Sequence, residues 1–476
     1  MRRFGFVMLA AVMAVVAAAG LAPASGAPTA PSTPAASRAP AAQPWQPPQV
    51  VKIQGGEKWM VLSPLYGTSF SDEHGGTAVL VRDGELLNNG IPYYRSDGAS
   101  LVMKIDESWA ALDGRTVALP ADERGLKWLD DAKPEDITSV RFVRLAANSG
   151  DVPQAALEKL AKANPRVGLE IRGLDVGRVL ALFQPRWLTI NEAPQDEKGR
   201  KAIQAAGPIE QLALGRCSEA DLSFLAGMKD VRSLLLSRWD AAKNGALRGP
   251  KGMATLVFFA PEMKDLSEVA EVPYLQELAV VACKDLADLG GLAKHKTLKT
   301  LVLTMSGDKD KVMDLAPLKE LKELKWLGLP PATTQAQLEQ VVKDHPDLVI
   351  LELAGCDKIT DLAPLKGLAK LEAAIIATSA TDLTPLRAMK QLKLVGIARE
   401  KKDEGGKTQQ AIAPEQVDSL KKALPDAAVV TITPICLGSG WILLLAAAVA
   451  AGYFVVRRRT KTRNAERGTR NANISD

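Results

Sequence analysis

Between residues 209 and 397 the apolar positions repeat one motif, apolar-x-x-apolar-x-apolar. Its first positions are Ile209, Val231, Met253, Leu275, Leu298, Leu324, Leu348, Leu371 and Leu392, at steps of 21 to 26 residues. The last two apolar positions of each copy lie two apart, which predicts a short strand with one buried face. Less regular copies precede these at Ile137, Val140, Phe142, at Val167, Leu169, Ile171 and at Leu188, Ile190. A final strand is expected at Val430 and Ile432. Self-similarity held at one period over this length predicts a stacked solenoid, in which each coil seals the apolar flank of the next.

A polar signal keeps the same period. An aspartate stands ten residues before the strand motif at Asp221, Asp265, Asp288, Asp314, Asp361 and Asp382. Two copies read Asp-Leu-x-Pro-Leu, Asp361 to Leu365 and Asp382 to Leu386, and Pro317, Pro364 and Pro385 share one position. Aspartate accepts backbone N–H bonds at the start of a helical turn, and proline suits an early position that needs no donor. Capping therefore explains the acidic row; one carboxylate per coil does not supply the converging oxygens of a calcium site. A second sub-pattern places an acid, an apolar residue and a lysine ahead of Pro165, Pro346 and Pro425. It predicts three true helices ending near those prolines. Arg399 to Gln410 reads as a charged loop.

Outside the repeats the chain changes character. Residues 1–27 have the positive start, apolar run and small-residue end of a signal peptide. Residues 28–50 form a Pro/Ala-rich linker. Residues 51–130 alternate short apolar runs with Gly, Asn and Asp, which predicts a small β-rich module, either a separate domain or a cap on the first repeat. The repeat domain is placed at 131–433. Residues 435–456 carry no charge over a length that spans a bilayer, and Arg457, Arg458 and Arg459 follow at once. By the positive-inside rule the tail 457–476 is cytoplasmic and the rest of the mature chain lies outside.

With its Asp-Leu-x-Pro-Leu openers, the repeat resembles the bacterial leucine-rich repeat family, in particular the short internalin-like type. The resemblance covers about Ile137 to Ile432. It implies an α/β solenoid: a right-handed leucine-rich repeat coil with a parallel β-sheet on its concave face, here preceded by the β-rich module and followed by one transmembrane helix. The family's Asn/Cys position falls on Cys217, Cys283 and Cys356, and elsewhere on Trp239, Pro261, Ser306 and Ser379. Three cysteines in equivalent inward positions, separated by whole coils, are out of disulfide reach and are expected as buried free thiols. Cys436 stands at the outer edge of the span. Cys-Leu-Gly-Ser-Gly before an apolar run looks like a C-terminal sorting signal, but the long tail after Arg459 favours a plain membrane-boundary cysteine.

Charge alters this picture little. The formal charge is +5, and the tail alone accounts for that excess, so the exported part is close to neutral and offers no nucleic-acid footprint. His74, His295 and His345 stand apart from one another and from the cysteines. No metal, phosphate-loop, dinucleotide or hydrolase motif occurs, so no cofactor and no enzyme activity are expected; an enzyme site would have to lie in 51–130. The candidate binding residues are those between the core positions of each strand: Leu235, Val257, Phe259, Val281, Val302, Trp326, Ile350 and Ile375, with Leu394 beside them and Glu277 and Glu352 as charged exceptions. An apolar surface of that kind marks an interaction site. It would take a protein or envelope polymer, be covered by the chain's own β-rich module, or be hidden by self-packing. The expected function is a membrane-anchored interaction scaffold of the bacterial cell envelope, or else a structural envelope or adhesion component without a discrete ligand.

Overall fold

Each apolar motif becomes one strand. The computed structural model describes most residues from 126 to 432 and, before them, short strands within 49–119; residues 1–48 and 433–476 lie outside the described residues. The signal peptide, linker, Cys436, the span 435–456 and the tail fall there. Among the described residues no helix is long and apolar enough to cross a membrane.

The parallel strands are Arg115–Leu119, Val140–Ala146, Gly168–Arg172, Trp187–Ile190, Gln211–Leu214, Ser233–Ser237, Thr255–Phe259, Glu277–Val281, Thr300–Val302, Trp326–Gly328, Ile350–Cys356, Ala373–Thr378, Leu394–Ala398 and Ala428–Ile432. With two antiparallel strands at one edge they make a 16-stranded sheet. Their register keeps the inward residues in column: Leu234, Leu256, Leu278, Leu301, Leu327, Leu351, Ala374, Val395 and Val429 are successive partners. All belong to one continuous buried core, as do the first and last apolar positions of the regular copies. This is a leucine-rich repeat solenoid on its own geometry.

The return limb of most regular coils is a short 3-10 turn, at Ser223–Gly227, Ser267–Glu271, Gly290–Lys294, Ala316–Glu320 and Ala363–Gly367. The repeated aspartates start these turns as expected. Asp221, Asp265, Asp288, Asp314, Asp361 and Asp382 each accept the backbone N–H two residues on, at 2.8–3.0 Å. The three expected helices are present at Gln154–Ala163, Gln335–Asp344 and Pro414–Ala423. Helices are wider than the strand spacing, so the sheet lies on the inner curve.

Four details differ from the pattern reading. In Val140–Ala146 the core residues are Val143 and Leu145, opposite Leu169 and Ile171, rather than Val140 and Phe142. A further helix, Glu197–Ala205, is capped by Asp196 through the Gly199 N–H. The charged stretch after residue 399 pairs as a hairpin, Glu400–Lys402 against Thr408–Gln410. The stretch 51–130 is divided between the two ends of the solenoid. Arg115–Leu119 is the first parallel strand, whereas Thr68–Ser71 pairs antiparallel with the last one, Ser71 opposite Thr431. The strands near 49–92 therefore stand at the last repeat, not over the first.

Candidate functional site

Two-residue alternation sends every second strand residue to the face away from the core. The register arranges these residues in lanes along the solenoid. One lane is polar over seven successive strands: Trp187, Gln211, Ser233, Thr255, Glu277, Thr300 and Trp326 are neighbours in turn. The lane beside it is small and apolar: Ala213, Leu235, Val257, Ala279 and Val302. Past Trp326 the first lane becomes Ile350, Ala373 and Leu394, and the second runs through Gly328 and Glu352 to Ile375. Phe259 and Val281 pair in a third lane.

The face is a second apolar cluster, separate from the core, and each of its members comes from the sheet or the turn that continues it. All the expected concave residues lie on it. Their expected exposure is corrected: Leu235, Val257, Val281, Val302, Trp326, Ile350 and Ile375 are 0–6% exposed, and Phe259 is half-buried. They pack against one another as that second cluster.

Burial leaves hydrogen-bonding atoms without partners. They are Trp187 Nε1, Gln211 Oε1 and Thr300 Oγ1 in the polar lane, and Asn191 Oδ1 and Ser237 Oγ in the third lane, beyond the apolar one. A buried polar group left unpaired costs roughly 1–3 kcal/mol. The other orphaned atoms among the described residues, His345 Nε2 and Arg387 Nε, belong to the helical side.

Glu352 organises the centre. Its carboxylate accepts the Trp326 indole N–H at 2.8 Å and the Thr304 hydroxyl at 3.5 Å. Gly328 permits this reach: a Cβ there would lie 2.8 Å from Thr304 Oγ1. Desolvation raises the Glu352 pKa to about 8, and the two hydrogen bonds offset only part of that rise. One strand pair away, Thr255 Oγ1 donates to Glu277 at 2.9 Å.

The remaining candidate chemistry is structural. Cys217, Cys283 and Cys356 are buried free thiols, as expected. They donate to the Leu214, Met263 and Pro330 carbonyls at 3.2, 3.3 and 3.4 Å. Burial pushes the Cys217 thiol up to about 12 and raises the other two, which removes them from thiolate chemistry at neutral pH. His295 and His345 are buried, which lowers their pKa values; His295 Nε2 meets the Val269 carbonyl at 2.8 Å. His74 lies outside the described residues. Among the described residues no group of His, Cys, Asp and Glu could hold a metal ion.

No family model and no curated protein matches the chain. Among solved structures it is similar to an internalin (inlF) from Listeria monocytogenes, at 18% identity over 64% of this chain and 85% of that one, with a TM-score of 0.38. It is also similar to a leucine-rich repeat protein of Leptospira interrogans, at 14% identity over 64% of this chain and 97% of that one, with a TM-score of 0.35.

Proposed function

We propose that this protein is an interaction scaffold that takes an extended protein segment along the second face of its sheet. The carrying observation is the pairing of a polar lane with unspent hydrogen-bonding atoms and an apolar lane at its side. An extended peptide offers both matching features: backbone N–H and C=O groups along one edge and side chains that bury apolar surface. Donors and acceptors such as Trp187 Nε1 and Gln211 Oε1 suit a peptide backbone better than a uniformly apolar ligand.

The test uses residues 50–433, immobilised, against native cell extract. Trp326→Glu with Phe259→Ser puts a carboxylate beside Glu352 and removes an aromatic rim. Loss of partner retention with unchanged circular dichroism is expected; equal retention by the folded double variant overturns the reading.

We further propose that the scaffold works from the outer face of a bacterial inner membrane. The uncharged stretch 435–456 and the arginines that follow support this. The full chain should then stay with membranes after alkaline carbonate extraction, and a chain ending at residue 433 should not. Release of the full chain by carbonate would overturn the anchoring.

A further inference from the structure

We infer that the lateral edge at which the strands begin, over the last six coils of the solenoid, binds a linear polyanion. These strands are parallel and paired in register, so their starts line one edge of the sheet and their ends the other. The near-neutral balance of the chain hides how the register sorts its charges. Six segments run from a return limb into a strand: 293–300, 318–326, 342–350, 365–373, 386–394 and 420–428. Together they hold fourteen Lys and Arg against six Asp and Glu. At the other edge, the stretches 281–290, 303–316, 328–336, 354–363 and 377–384 hold four against eight, and the hairpin stretch 399–410 is nearly balanced. Solubility is served by mixed charges spread over a surface and does not account for this separation.

The helical side shows the same bias. Each return limb from Gly290–Lys294 to Pro414–Ala423 carries a basic residue in its last turn, whereas Ser223–Gly227 and Ser267–Glu271 carry none. Half of the acids on this edge are engaged in the row next to the strands. Lys299 reaches Glu323 at 3.9 Å, Lys370 reaches Asp347 at 2.6 Å and Lys393 reaches Glu372 at 2.8 Å. Lys296, Lys319, Lys322, Lys343 and Lys366 lie outside that row, are exposed, and have no ion pair among the described residues.

Thirteen of the fourteen basic residues are lysines. A lysine is a hydrated point charge on a flexible stem, not a fork shaped for one carboxylate or phosphate. A strip of lysines therefore reads charge density rather than one particular group. The strip recurs coil by coil, and five steps of about 4.8 Å make it at least about 24 Å long. A small anion meets the lysines of one coil. A chain of repeating phosphates meets those of all six and releases counterions at each.

The test reads individual lysines, so the basic tail does not obscure it. The full chain, in non-ionic detergent at low salt, is acetylated with and without long-chain inorganic polyphosphate, and each site is followed by mass spectrometry. Labelling of Lys296, Lys319, Lys322, Lys343 and Lys366 should slow roughly fivefold or more, and added salt should abolish the protection. Lys284, Lys309, Lys311 and Lys358, exposed on the opposite edge, should label at an unchanged rate. Equal protection of both edges, equal protection by pyrophosphate at the same phosphate concentration, protection by phosphatidylglycerol vesicles but not by polyphosphate, or no protection would each overturn the inference. A variant supplies a second measurement. With Lys296→Gln, Lys319→Gln, Lys322→Gln and Lys366→Gln combined, polyphosphate should no longer protect Lys343; undiminished protection of Lys343 would show that the coils do not act as one strip. The edge is separate from the second face of the sheet, so none of these outcomes bears on whether Trp326→Glu with Phe259→Ser abolishes partner retention.

Discussion

Glu352 faces Gly328 across the strand register, in the middle of an otherwise apolar neighbourhood. Its pKa of about 8 lies above the ordinary carboxyl value of 4.5, so folding favours the protonated acid. Its contribution to stability is full below about pH 4.5 and is lost as the pH rises through 8. Between those limits the loss is about 1.4 kcal/mol per pH unit. Glu352→Gln keeps the shape without the titration. It should flatten the fall in urea midpoint from pH 5 to pH 8 and leave the variant the more stable protein at pH 8; parallel pH profiles would refute the assignment. A second residue-scale feature escaped the pattern reading. The residue seven after the first motif position is left-handed in six of the regular coils, at Arg216, Arg238, Ala260, Ala282, Met305 and Gly355, with φ of 47° to 77°. Only the last is glycine, so composition concealed it. A left-handed Ala costs roughly 1–2 kcal/mol, and glycine gives back part of that in chain entropy. Ala260→Gly should therefore stabilise by about 0.5 kcal/mol in urea titration. The polar lane was missed for a related reason. Ser233, Thr255 and Thr300 carry no charge and look like neutral filler until the register sets them side by side.

At the scale of elements the chain was most readable where one side chain has one job. Strand positions follow from the two-residue alternation, and turn starts follow from the aspartates, because both signals act within a few residues. Asp361→Ala removes one N–H acceptor and should cost about 0.5–2 kcal/mol. Leu351→Ala opens a cavity in the central column and should cost roughly 2–5 kcal/mol. Urea midpoints of the two variants, ranked the other way round, would contradict the division between turn and core. Reading failed where partners are remote. Glu197–Ala205 has a cap but no repeat to announce it, and the shift to Val143 and Leu145 depends on pairing with Leu169 and Ile171. Close coil contact is likewise invisible along the chain. A Cβ at Gly291 would come within 2.1 Å of the Leu266 carbonyl oxygen on the preceding coil. Ion pairs bridge adjacent coils at the repeat spacing, as in Lys294–Glu271 and Lys243–Glu219. They are exposed, so each contributes little to stability and orients more than it stabilises.

On the scale of the whole molecule, a solenoid has two ends, and each would leave a strand with unpaired backbone. The chain meets this need from one stretch before the repeats. Arg115–Leu119 extends the sheet at its start, and Thr68–Ser71 pairs with Ala428–Ile432 at its finish. No sequence period could show the second pairing, since it joins residues some 360 positions apart. Removing it should expose the flat edge of Ala428–Ile432. Charge would not protect that edge, because residues 28–456 are together close to neutral. A chain spanning residues 93–433 should thus self-associate through its last strand, with apparent mass rising with concentration in light scattering. Thr431→Pro in the same shortened chain removes one N–H from the edge and should restore the monomer. Monomeric behaviour of the unmutated 93–433 chain at high concentration would mean that the edge is guarded by something other than Thr68–Ser71.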